Sequence, residues 1–162
     1  MKPILISLLV LFSLTGIAQN QTILGKAIYL ELGGKGFMSG NFEVPLNSRN
    51  RLNLGLTLLD NEFEKEADEE DYPNLVLPTP GVMYFHLSGR GPHYFESGLG
   101  LSVSPVFWRK FSENDSPLSL HGSLGYRYQK ADHFLFRAGF TPFYRVKWAF
   151  LPLIGVSLGY SW

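Results

Sequence analysis

Cysteine is missing from all 162 residues. Its absence excludes disulfide staples, thiolate chemistry and structural zinc sites of the cysteine type. Net charge is missing as well: 14 basic side chains balance 14 acidic ones, which argues against nucleic acid as a partner. After the first segment no apolar run approaches the roughly 20 residues that a membrane helix needs. The one apolar run, Ile4 to Leu14, is too short to span a membrane. It lies between Lys2 and the small-x-small stretch Gly16-Ile17-Ala18. That order of parts is a secretory signal peptide, so residues 1–18 are read as the signal and 19–162 as one mature domain.

An exported chain of this size without disulfides must be held together in another way, and hydrogen bonds closed around a barrel would serve. The composition agrees, with 17 glycines and 15% aromatic residues. The clearest pattern is at the C-terminus, LPLIGVSLGYSW. Ile154, Val156, Leu158, Tyr160 and Trp162 share one face, and Gly155, Ser157, Gly159 and Ser161 the other. Strict period-two alternation marks a β-strand with one apolar face.

Seven further strands are predicted by the same alternation. They lie near Lys26–Gly33, Phe37–Leu46, Arg51–Leu59, Gly81–Ser88, His93–Val106, Leu118–Gln129 and His133–Pro142. On the first three, Ile28, Leu30, Leu32, Met38, Phe42, Val44 and the leucines 52 to 58 face outward, opposite Tyr29, Glu31, Asn41, Glu43, Asn53 and Thr57. On the fourth, Met83, Phe85 and Leu87 are set outward and Val82, Tyr84 and His86 inward. A fourth–fifth hairpin centred on Arg90 would then place Tyr84 opposite Glu96. The connections sort by parity: those after the second, fourth and sixth strands are short, and three of the four after odd strands are longer. Membrane barrels alternate in this way, with short turns on the periplasmic side.

The C-terminal strand resembles the signal strand of bacterial outer-membrane β-barrel proteins. IYLELGGKGFMSGNFE, LGYRYQ, FLFRAGFTPF and FLPLIGVSLGYSW together resemble a group of small eight-stranded outer-membrane barrels common in Bacteroidetes, similar in form to OmpA-type and OmpX-type barrels. The resemblance implies an eight-stranded antiparallel up-and-down transmembrane β-barrel in the outer membrane. It also implies contact with lipid and lipopolysaccharide, and recognition by the barrel-assembly machinery through Val156, Leu158, Tyr160 and Trp162. It brings no catalytic residues.

The residues that could carry chemistry are inward. Glu31, Glu43, Tyr84, Glu96, Arg127 and Arg137 form a candidate lumen network, either a polar plug or a gated path. An eight-stranded barrel is only wide enough to be filled by side chains, and buried charges must pair. His121 and Ser123 resemble the His-x-Ser pair of the outer-membrane lipid A deacylase, but they lie on the inward face whereas a lipid-cleaving site must face lipid. The acidic run Glu62–Asp71 lacks the glycine bend of an EF-hand loop and reads as a solvated loop. Phe107, Trp108, Phe111, Phe143, Tyr144, Trp148 and Phe150 read as an interfacial girdle, with Arg109, Lys110, Arg145 and Lys147 suited to lipid phosphates. The expectation is a monomeric barrel of structural or surface-interaction role, with no catalysis, metal or cofactor. The alternatives are a lipid-modifying barrel enzyme and a soluble lipocalin-like barrel with the faces reversed.

Overall fold

The computed structural model describes residues 24–34, 38–59, 77–103, 118–145 and 150–162. Eight strands are found: β1 Ala27–Gly33, β2 Met38–Pro45, β3 Asn50–Leu59, β4 Leu77–Arg90, β5 His93–Val103, β6 Leu118–Gln129, β7 His133–Arg145 and β8 Leu151–Ser161. Each pairs antiparallel with the next, and β8 returns to β1 from Ala27↔Ser161 to Gly33↔Gly155. Closure joins β8 back to β1, so the backbone groups of the paired segments find their partners within the sheet. The outcome is the eight-stranded up-and-down antiparallel barrel that the resemblance implies, built from the strands that the alternation marks.

The short turns explain the local register. After β2, the Asn47 side-chain oxygen accepts backbone N–H bonds from Arg49 (2.9 Å) and Asn50 (2.8 Å), closing the turn as asparagine commonly does. After β4, Gly91 sits at φ +61°, a left-handed backbone that glycine adopts at no steric cost. Residues 24–26, Trp162 and the short turns share one rim, here called the turn side. The opposite loop side carries the connections whose residues 35–37, 60–76, 104–117 and 146–149 lie outside those described. The acidic run and the signal segment also fall outside.

Seven strands show the predicted faces. β4 is reversed: Met83, Phe85 and Leu87 are buried, while Val82 and Tyr84 are exposed. The cause is register. The turn holds only Gly91 and Pro92, so Arg90 pairs with His93, Leu87 with Glu96 and Tyr84 with Leu99. That is three positions from a hairpin centred on Arg90, and an odd slip moves every side chain to the other face. β4 also starts earlier than the sequence suggests, at Leu77. Pro78 and Pro80 are tolerated because β4 pairs there with β3, whereas its pairing with β5 begins at Gly81↔Ser102. Proline is confined to such edge segments.

Candidate functional site

The barrel interior is the candidate site. Its core is an alternating chain of charges drawn from six strands. Arg51 of β3 pairs with Glu43 of β2, Glu43 with Arg127 of β6, Arg127 with Glu96 of β5, Glu96 with Arg137 of β7, and Arg137 with Glu31 of β1. Arg127 Nη1 donates to Glu43 Oε2 at 3.0 Å and to Glu96 Oε2 at 2.8 Å. Arg137 Nε reaches Glu96 Oε2 at 3.0 Å, and its Nη1 reaches Glu31 Oε2 at 3.3 Å. Three guanidinium groups balance three carboxylates. Glu43 and Arg127 are fully buried. Burying a charge is costly unless it is paired and its remaining hydrogen-bonding capacity is met. Here every interior member of the chain has an opposite charge on both sides.

Neutral groups complete the coordination. Gln129 Oε1 accepts from Arg127 Nε at 2.9 Å, Ser123 donates to Glu96 at 3.1 Å, and Asn53 donates to the Tyr29 hydroxyl at 2.9 Å. The Arg137 guanidinium lies 4.7 Å from the ring centres of both Tyr29 and Phe85, close enough for cation–π attraction on two faces. Phe85 has room because it stands opposite Gly98, just as Met83 stands opposite Gly100. A side chain at either glycine would collide with its cross-strand neighbour.

The network changes character along the barrel axis. At the turn side, Leu24 packs with Leu87 and Tyr94, and Arg51 donates to the backbone carbonyls of Leu24 and Gly25. Leu24 and Gly25 are thus held against the Arg51 end of the charged chain. Towards the loop side the described interior is lined by buried hydroxyls, including Thr57, Thr79 and Ser119. His121 Nε2 lies 2.6 Å from Ser102 Oγ, with its ring edge-on to Phe143.

The outer surface is the opposite. Ile28, Leu30, Leu54, Leu99, Leu124, Phe140 and Leu158 are all exposed, and Ile154 is 74% exposed. From Ile154 to Trp162, β8 presents only apolar or aromatic groups outward. Eight steps of ~3.3 Å at a tilt of ~40° give about 20 Å of height, near the apolar band of a membrane barrel. Aromatic residues mark its ends. Phe42 and Trp162 stand 6.5 Å apart near the turn side, where Tyr126 also bonds His93 at 2.7 Å. Tyr144 and Phe150 are exposed near the loop side.

A solved outer-membrane protein shares this architecture. The backbone structure of the Yersinia pestis outer membrane protein Ail in a phospholipid bilayer nanodisc matches with a TM-score of 0.55 over 86% of this chain and 99% of that one. The likeness is one of fold. Sequence identity is 12%. No protein-family model matches the sequence, and no curated protein does.

The structure brings five of the six proposed lumen residues together: Glu31, Glu43, Glu96, Arg127 and Arg137. Tyr84 is the correction. It is 45% exposed on the outer face, because the two-residue turn reverses β4. Arg51 is a member that the alternation had not singled out, although it shares the parity of Asn53 and Thr57. His121 and Ser123 are both inward, but His121 meets Ser102 whereas Ser123 donates to Glu96. Of the girdle candidates, Tyr144 and Phe150 face outward and Phe143 is buried against His121. Phe107, Trp108, Phe111, Trp148, Arg109, Lys110 and Lys147 lie outside the described residues. Val156, Leu158, Tyr160 and Trp162 form one exposed row on β8.

Proposed function

We propose that this chain is an outer-membrane protein of the small OmpA- or OmpX-like kind, with a sealed barrel and a structural or surface-interaction role carried by its loop side. The inversion of polarity supports the reading most: large apolar side chains are exposed around the whole barrel, while three Glu and three Arg are buried within it. Water would penalise the first set and hydrocarbon the second, so a bilayer around the barrel suits both. A soluble lipocalin-like barrel needs the opposite arrangement.

A Bacteroidetes origin and an N-terminal export signal over residues 1–18 belong to the same proposal. So do lipopolysaccharide contact, a monomeric state, and recognition of the β8 row by the barrel-assembly machinery. Catalysis is not part of it. Glu31, Glu43, Glu96, Arg51, Arg127 and Arg137 pair with one another, and Ser102–His121 faces the lumen rather than lipid. The likeness to Ail supports a membrane barrel as scaffold, with the loops free to differ.

Topology in intact cells tests the proposal. The absence of cysteine makes single-cysteine labelling clean. A membrane-impermeant maleimide should label Asn61→Cys, in the β3–β4 connection, on intact cells, and Ser48→Cys, in a short turn, only after lysis. Labelling of both, or of Ser48→Cys alone, would reject the orientation. Discrete conductance steps from the purified barrel in a planar bilayer would reject the sealed lumen.

A further inference from the structure

The interior contains a void of about 10 Å³ beside the last two charges of the chain. Glu31, Glu96, Ser123, Arg137, Thr141 and Ser157 line it, and Gly125, Gly139 and Gly155 form its glycine wall. The void exists because those glycines contribute no side chain where β6, β7 and β8 meet. Gly125 and Gly139 face each other in register, and a Cβ on either would stand 2.6–2.7 Å from the other's backbone.

Within this space the Thr141 hydroxyl is buried and has no hydrogen-bond partner among the described residues. Glu31 stands on the other side of the same space. A side chain at Gly34 would run into both the Glu31 carboxylate and the Thr141 hydroxyl, so the two groups border one small volume without bonding each other. A buried hydroxyl left without a partner pays its desolvation with no hydrogen bond in return. A polar cavity of roughly 10–15 Å³ with two to four polar neighbours is the size and chemistry that holds a single water.

We propose that this void is a binding site for one water molecule, held by Thr141 and the carboxylates of Glu31 and Glu96. The water accepts from the Thr141 hydroxyl and donates to the carboxylate oxygens, which gives that hydroxyl the partner it lacks among the described residues. Water fits better than a cation, because the three Arg and three Glu already balance. The site depends on the barrel interior alone, not on what surrounds the barrel.

Water-edited solid-state NMR of the full chain in phospholipid vesicles tests it. Magnetisation from water should build up at Thr141, Ser123 and Gly155, while buried Leu135 and Phe85 stay dark. Thr141→Val keeps the shape and removes the hydroxyl; it should cut the transfer at Ser123 and Gly155 several-fold. If Thr141 and Ser123 of the unaltered chain are as dark as Leu135, the void is dry and the proposal fails. Unchanged transfer in Thr141→Val would also overturn it. So would a shift of the Glu31 and Glu96 carboxyl resonances on replacing sodium by tetramethylammonium, since the occupant would then be a cation.

Discussion

Arg127 of β6 and Glu43 of β2 meet across the barrel lumen, 84 positions apart in sequence, with Arg127 Nη1 donating to Glu43 Oε2 at 3.0 Å. Strands β2 and β6 are not neighbours in the sheet. The contact therefore spans the interior rather than a ladder, and it locks two walls of the barrel to each other through fully buried groups.

Arg127→Met should lower stability strongly. It leaves Glu43 and Glu96 each short of one partner inside the barrel, and breaking a buried ion pair from one side typically costs about 3–5 kcal/mol. Urea unfolding of the refolded barrel in vesicles reads this directly. A loss below about 1 kcal/mol would mean that Arg51 and Arg137 alone neutralise the carboxylates.

The reversed β4 face can be read with single cysteines. A spin label on Tyr84→Cys should be accessible to oxygen dissolved in the bilayer, whereas one on Leu87→Cys, buried between Leu24 and Tyr94, should be shielded. The opposite order would restore the face that alternation alone assigns.

Leu158→Arg tests the outer surface at the middle of the apolar row. An arginine near the bilayer midplane of a membrane barrel costs about 2–4 kcal/mol, falling to about 0–1 kcal/mol near the interface. Trp162→Arg, at the end of the row, should therefore cost less than Leu158→Arg. Equal small effects, measured by unfolding in vesicles, would place the row in water.

Arg51 also holds the segment before β1, through the carbonyls of Leu24 and Gly25, and the Trp162 N–H bonds the Lys26 carbonyl at 3.0 Å beside it. Arg51→Met should loosen this seam, raising hydrogen exchange at the Trp162 amide by roughly 5-fold, the order expected for losing contacts worth ~1 kcal/mol. Exchange at the Leu99 amide, in the middle of β5 and away from Leu24, should change less.

Strand number, strand order and most faces were legible because seven strands place polar or small residues on one side and apolar ones on the other. β4 gave no such sign. Val82 and Tyr84 are as apolar as Met83, Phe85 and Leu87, so alternation showed a strand without showing which side is inside. The missing information was in β5: inward Gly98 and Gly100 leave the space that Phe85 and Met83 fill. Size complementarity between paired strands decides that face, not hydropathy. Charges on the inward faces of β1, β2, β5, β6 and β7 pointed to an interior network, but which glutamate meets which arginine depends on shear and depth, and these exist only once the barrel closes. Thr141 was unremarkable in sequence. It becomes a candidate ligand only because three glycines from β6, β7 and β8 empty the space beside it.

The central claim is a closed barrel folded in a membrane around a paired polar interior. Heat-modifiability tests it most directly: the protein is expressed with its N-terminal segment, the membranes are fractionated, and the sample is run on a denaturing gel unboiled and boiled. The structure predicts recovery in the outer-membrane fraction and faster migration of the unboiled band, because the closed hydrogen-bonded sheet resists the detergent until heated. Soluble periplasmic protein that migrates identically with and without boiling would contradict the account.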